Sequence, residues 1–229
     1  MAAKVTPQFL RSRVHVGARD WQESPATDYW FYTGPDVSVA SGATNISGLD
    51  SFGWTTTSLA FTNLVTGDFM AAADDTPIHL LTNADLDVLQ SPIMFGSYAH
   101  QQFVKSILGY EPTRLCAEFY AAFTVATADE TASHIGFYNG AAVVMAINSD
   151  GTLFELYNGS TKDNGAAVDN AYHLWKIAVD KGAGTAEWFI DGTSQGTLAI
   201  TQDVWPAAFR MAASTTNRPA LSWAHVWYE

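Results

Sequence analysis

The stretch from Leu115 to Val125 alternates without a break. One parity reads Leu115, Ala117, Phe119, Ala121, Phe123 and Val125, and the other reads Cys116, Glu118, Tyr120, Ala122 and Thr124. A period of two held this long places a strand with one face on an apolar core. The cadence returns in short runs to the end of the chain, several closed by pairs that tolerate positive φ. Ile135–Asn139 runs into Asn139-Gly140, Val143–Asn148 into Asp150-Gly151, Leu153–Tyr157 into Asn158-Gly159, and Thr185–Ile190 into Asp191-Gly192. His173–Asp180, Gly196–Ile200, Phe209–Ala213 and Leu221–Tyr228 complete the set. Strands at this spacing with no helix between them predict an all-β fold, an antiparallel two-sheet β-sandwich. Its expected core includes Phe119, Phe123, Trp175, Ile177, Val179 and Phe189.

The first hundred residues carry a weaker pattern. Gly34–Gly53 is rich in Ser, Gly, Thr and Asn and reads as loop around a short strand at Val37–Ala40. Ser58–Leu64 reads as a strand, and Asp85–Leu89 as a short helix capped by Asn83. Ser97–Leu108 is open to two readings. Ala99, Phe103 and Ile107 form a helical stripe with Gly109 at the C-cap position, but the same residues suit a strand bent at a sheet edge. The expected organisation is an N-terminal extension, residues 1–28, followed by a single sandwich domain, residues 29–229.

Charge divides the chain the same way. The net charge is −12. Lys4, Arg11, Arg13 and Arg19 against Asp20 give the first 20 residues +3, leaving −15 for the remainder. An acidic body repels phosphates, so nucleic acid is not an expected partner. A basic arm carrying Arg11, Arg13, Arg19 and Trp21 is suited to an acidic partner surface, although a solvated terminus would look the same. No run of 18 apolar residues exists, so no membrane span is expected. The N-terminus lacks the apolar segment of a secretory signal, and Cys116 is the single cysteine, so no intrachain disulfide forms.

The run His173–Asp180 followed by Thr185–Gly192 resembles the concanavalin A-like and laminin G-like sandwiches. In these a strand opening on Trp and closing on Asp precedes a hairpin that ends in Asp-Gly. The last strand, with Trp223, His225 and Trp227, fits the same jelly roll. The resemblance covers about half of the chain and implies fold more than function, because such sandwiches serve as lectins, glucanases, adhesion modules and phage virion proteins.

Glycan-cleaving relatives need paired carboxylates on a sheet face. Neither the Glu-x-Asp pattern of the glucanases nor the Arg-x-Glu-x-Arg of the lyases is present. Glu118, Glu155 and Glu187 fall inside expected strands, where outward-facing solvated carboxylates are the simpler reading. The six histidines are scattered without zinc spacing, and Cys116 reads as a buried thiol. No catalytic or metal-binding residues are assigned and no cofactor is expected. Calcium is weighed because relatives hold it between strands, but the oxygen-rich groups Asp74-Asp75, Asp129-Glu130 and Asp163, Asn164, Asp169, Asn170 equally suit solvated turns. Aromatic residues in irregular sequence, Trp30, Tyr32 and Trp54, are the expected ligand-binding residues, since sugar C–H faces stack on rings.

These features point to a non-catalytic structural protein of a tailed phage virion, such as a capsid decoration, head-fibre or tail-associated adhesion module. Such a protein folds in a reducing cytoplasm without disulfides. Its expected partners are other virion proteins, further copies of itself, and a cell-surface glycan. The alternatives are a carbohydrate-binding lectin module, secreted if a signal has been removed, and a glycoside hydrolase of the same superfamily.

Overall fold

The parity of Leu115, Ala117, Phe119 and Ala121 becomes the buried side of a strand that anchors one sheet. The computed structural model describes residues 28–32, 55–57, 87–91, 95–123, 133–169, 171–200, 205–213 and 219–229. In chain order these form β1 (Asp28–Tyr32), β2 (Thr55–Thr57), β3 (Asp87–Gln90), α1 (Tyr98–Leu108), β4 (Arg114–Ala122), β5 (His134–Asn139) and β6 (Ala142–Ser149). They continue as β7 (Leu153–Tyr157), β8 (Lys162–Ala167), β9 (Tyr172–Asp180), β10 (Thr185–Ile190), β11 (Thr193–Ala199), β12 (Ala208–Ala213) and β13 (Ala220–Tyr228). A six-stranded sheet runs β1-β13-β4-β9-β10-β11 and a seven-stranded sheet runs β2-β3-β12-β5-β6-β7-β8. Every pairing is antiparallel, as expected of a sandwich of this class.

The core lies between the sheets. Trp175 is fully buried, donates its indole N–H to the Ala121 carbonyl at 2.8 Å, and stands edge-on to Phe123 and Phe154 at 5.5 and 4.8 Å. Phe119 and Phe209 meet at 5.5 Å across the layers. Satisfying the indole donor matters, because a buried polar group left unmade costs roughly 1–3 kcal/mol. Asp191 and Gly192 have φ of 50° and 82°, the two positive values that a tight two-residue hairpin turn requires.

Three expectations change. Phe189 is not a core residue: Ala186, Trp188 and Ile190 take the buried parity of β10, and Phe189 turns outward opposite Lys176. The large core residue of β10 is therefore Trp188, whose indole N–H donates to Asp163 Oδ2 at 2.8 Å. Asp85–Leu89 does not form a helix. Residues 87–90 are strand β3, paired with β12 on one side and β2 on the other, so sheet pairing overrides a weak local helix signal. Asp163 and Asn164 are not loop residues but lie in β8, a polar strand at the sheet edge, where solvent tolerates the composition that disguised it. Ser97–Leu108 resolves as helix: the Ser97 side chain accepts from His100 N–H, and Gly109 closes the other end at φ 76°. The segments 37–40 and 58–64 lie outside the described residues. No helix among the described residues is long and apolar enough to cross a membrane.

Candidate functional site

Once Ile135, Phe137, Met145, Ile147, Phe154, Leu156, Phe209 and Met211 face the core, the opposite parity of the same strands faces away from it. The register then sets two rows across the outer face of the seven-stranded sheet. One reads Gln90, Arg210, Gly136, Ala146, Tyr157 and Lys162. The other reads Ala212, His134, Asn148, Glu155 and Asn164, the step from His134 to Asn148 continuing the Ile135–Ile147 register.

The middle of the first row is nearly bare. A Cβ on Gly136 would fall 2.5 Å from Ala146 Cα and within contact of the Met145 carbonyl oxygen, so only glycine fits there. The backbones crowd next to the register shift at Phe137/Tyr138. Arg210 and Tyr157 therefore stand on either side of a floor made by Gly136 and Ala146. Three inter-strand spacings separate their Cα atoms, about 14 Å at ~4.8 Å per spacing.

Polar groups ring this floor. The Arg210 guanidinium lies 5.1 Å from the centre of the Tyr138 ring and donates from Nη1 to the Gly140 carbonyl at 2.8 Å. Among the described residues its buried Nε has no hydrogen-bond partner, and neither has the buried Tyr138 hydroxyl. Arg210 also has no carboxylate partner among the described residues. Burial pushes the Tyr138 hydroxyl well above the ordinary tyrosine range against the opposing charge of Arg210, so it stays protonated and able to donate. His134 is buried and stacks on half-exposed Tyr157, centroids 5.4 Å apart and planes 14° from parallel. Glu155, also buried, pairs with Lys162 at 3.2 Å, close enough for an ion pair but without hydrogen-bond alignment. An aromatic plate, a guanidinium, an amide and an ion pair thus surround the small residues Gly136 and Ala146; Gly136, Ala146, His134, Tyr138, Asn148 and Glu155 are all buried, so these groups form a covered polar layer on this side of the sheet.

The carboxylates singled out in the sequence do not come together. Glu155 is on the seven-stranded sheet, while Glu118 and Glu187 are on the outer face of the other. Those two sit two strands and two residues apart, about 12 Å between Cα atoms, with Lys176 between them opposite Glu118. Glu187 accepts from Ser194 Oγ at 2.9 Å. The expected ligand residues Trp30 and Tyr32 lie in β1, in register with His225 and Trp223 on the six-stranded sheet, away from the Arg210 face. Trp54, Arg11, Arg13, Arg19 and Trp21 lie outside the described residues, as do Asp74-Asp75, Asp129-Glu130 and Asn170. Asp169 is taken up by His173 Nε2 at 3.0 Å and the Ala171 N–H at 2.9 Å, and among the described residues no three acidic, imidazole or thiol groups converge as metal ligands. Cys116 is buried, and burial pushes its thiol up to about 12.

No family model matches the sequence, and no curated protein does. Among solved structures the chain is similar to a sialidase at 10% identity over 79% of this chain and 17% of that one, TM-score 0.46. It is also similar to the carbohydrate recognition domain of Emp47p, at 6% identity over 90% and 96% of the two chains, TM-score 0.45. An alginate lyase from Corynebacterium sp. gives 12% identity over 92% and 97%, TM-score 0.45. The chain spans about a sixth of the sialidase's length. Likeness this remote says nothing of what the chain binds or cleaves.

Proposed function

We propose that this chain is a non-catalytic glycan-binding β-sandwich of a tailed phage particle, and that it takes a sugar on the outer face of its seven-stranded sheet. The observation that carries the binding role is the pair of buried donors, Arg210 Nε and Tyr138 Oη, that have no acceptor among the described residues. A buried donor normally finds a partner, so one with none among the described residues, next to the small residues Gly136 and Ala146, fits a ligand acceptor. The guanidinium favours a sugar bearing a carboxylate, because a charge-assisted pair is about twice as strong as a neutral hydrogen bond. The net charge of −12 opposes such a ligand at long range. Screening over about 8 Å at physiological salt limits that opposition, whereas the guanidinium acts at contact distance.

Two observations support a non-catalytic role. Glu155 lies on a different sheet from Glu118 and Glu187, and Lys176 stands between those two, opposite Glu118, so no two of the three occupy adjacent strand positions as a hydrolytic pair would. Tyr138, held protonated, is not a base at neutral pH. The virion setting is supported by a single, buried, inert cysteine, as suits folding in a reducing host cytoplasm.

Calorimetric titration with oligosaccharides containing uronic or sialic acid tests the binding role. Binding that weakens at least tenfold in Arg210→Met and in Tyr138→Phe is expected. Absence of binding at millimolar sugar, or release of unsaturated or reducing-end products on incubation, would overturn the proposal. Mass spectrometry of purified particles tests the setting, which fails if the chain is missing from them.

A further inference from the structure

His173, the second residue of β9, stands between two carboxylates. Nδ1 lies 2.7 Å from Asp191 Oδ2, in the β10–β11 turn, and Nε2 lies 3.0 Å from Asp169 Oδ1, in the β8–β9 connection. Asp191 belongs to the six-stranded sheet, as His173 does. Asp169 follows β8, the edge strand of the seven-stranded sheet, by two residues. The imidazole therefore ties the end of one sheet to a turn of the other. Its remaining neighbours carry no charge: Ala121 is opposite it in register from β4, and Phe154 of β7 and Trp175 of β9 stand edge-on to it. Among the described residues, the two aspartates are the charged groups that face it.

A protonated imidazole has two N–H donors and satisfies both carboxylates. A neutral imidazole has one N–H and one lone pair, so one of its nitrogens must face a carboxylate oxygen with no proton to share. Two acceptors at such a distance repel, and one contact has to open. The surroundings decide which. Asp191 is held in place: Oδ1 accepts the Leu174 N–H at 2.9 Å, and the Asp191 backbone N–H donates to the Leu174 carbonyl at 2.8 Å. The Asp169 carboxylate takes its other bonds from within its own connection, from the Ala171 N–H at 2.9 Å and from its own backbone N–H. It can turn away from His173 with those bonds intact.

We infer that His173 is a proton-operated link between the two sheets. Protonated, it joins Asp169 to Asp191. Neutral, it keeps its proton on Nδ1, stays with Asp191 and releases Asp169, and the proton from Nε2 passes to solvent. Burial lowers the His173 pKa, but the bonds to Asp191 and Asp169 outweigh it, so the link opens above the ordinary histidine range.

Proton–nitrogen correlation spectra of the full chain, labelled in its histidines, show which ring nitrogen holds the proton. The His173 signals are those lost in His173→Gln. At alkaline pH the wild type should carry the proton on Nδ1, the opposite of the form that free imidazole prefers. Asp191→Asn reverses the arrangement. Asparagine suits the positive φ of this turn, its Oδ1 still accepts from Leu174, and its amide N–H, in place of Oδ2, donates to Nδ1. The neutral ring then carries its proton on Nε2 and keeps Asp169 on both sides of the titration. Asp169 Oδ1 serves both His173 Nε2 and the Ala171 N–H, so the Ala171 amide signal should follow the His173 titration in the wild type and not in Asp191→Asn. Asp169→Ala should lower the His173 midpoint by at least about 0.5 pH unit and leave the proton on Nδ1. A wild-type proton on Nε2 at alkaline pH, one that stays on Nδ1 in Asp191→Asn, or a wild-type Ala171 amide indifferent to the His173 titration overturns the inference.

Discussion

On the outer face of the six-stranded sheet, Lys176 is held from several sides. Its ammonium lies 5.3 Å from the Trp227 ring centre, 5.9 Å from Phe189 and 3.9 Å from the Glu229 carboxylate, in register with Glu118. Trp227 stacks on His225 at 4.5 Å and donates its indole N–H to Glu229 at 3.0 Å. Across the molecule, Arg210 and Tyr138 lie against each other, and the Arg210 Nε and Tyr138 hydroxyl have no acceptor among the described residues. Both faces carry aromatic rings and a cation, so composition does not separate them. What separates them is whether the polar groups satisfy one another. A self-satisfied face contributes to stability, whereas a face that holds donors in reserve gives up some stability and is ready for a ligand.

The largest test sets one lysine against the other. Lys162 is the cation beside buried Glu155. Lys162→Met leaves that carboxylate without it and should cost about 2–4 kcal/mol in urea unfolding. Lys176 and its carboxylate partner Glu229 are both substantially exposed, so Lys176→Met should cost only about 0.5 kcal/mol. Equal losses would erase the contrast between the faces.

A smaller pair of variants should differ in sign. Tyr138→Phe removes a buried hydroxyl that makes no hydrogen bond among the described residues, so the free protein should gain about 1 kcal/mol while losing sugar affinity. Trp227→Phe removes a hydrogen bond that is made, in a half-exposed setting, and should cost about 0.5 kcal/mol. If Tyr138→Phe destabilises the free protein, the hydroxyl has a partner and the reserve it represents does not exist.

These contrasts show what the sequence could and could not reveal. Strands β4 to β7 and β9 to β13 were legible to within a few residues, because alternation fixes parity and Asn-Gly or Asp-Gly pairs fix the turns. Tight pairing of Trp188 with Phe189 hid the core residue: two large apolar neighbours satisfy either parity, and only the Ala186–Trp188–Ile190 set decides it. Strand β8 was missed because an edge strand can be polar throughout. Arg210 and Tyr138 both lie in segments read correctly as strands, and their outward parity follows from Phe209 and Phe137. Their meeting does not, because it depends on β12 lying beside β5, a long-range pairing that no local pattern encodes. The expectation for ligand residues instead followed aromatic content, which both faces share.

The smallest expected effect distinguishes the sheets by pH. His173, at the start of β9, bridges the β8–β9 connection and the β10–β11 turn. Nδ1 lies 2.7 Å from Asp191 Oδ2, Nε2 lies 3.0 Å from Asp169 Oδ1, and the ring stands edge-on to Phe154 and Trp175. Burial acts to lower the His173 pKa, but hydrogen bonds to the two carboxylates outweigh it and hold the group above its ordinary 6.5. A raised histidine pKa contributes stability that is complete below the unfolded value and is lost as pH rises through the folded one. On the acid side, burial would raise Asp169, but its bonds with His173 and the Ala171 N–H hold it below 3.8. That contribution is present above 3.8 and is lost as pH falls through the lowered value. The bridge is therefore tightest between these limits. Because both carboxylates are about half exposed, it is worth less than about 1 kcal/mol. The melting temperature should decline gently as pH rises from about 6.5 to 8.5. His173→Gln should flatten that decline with the chain's five other histidines still in place, and Lys162→Met on the opposite sheet should leave its slope unchanged. A slope that persists in His173→Gln but disappears in Lys162→Met would move the titrating contact to the seven-stranded face, and the two faces would have to be told apart on other grounds.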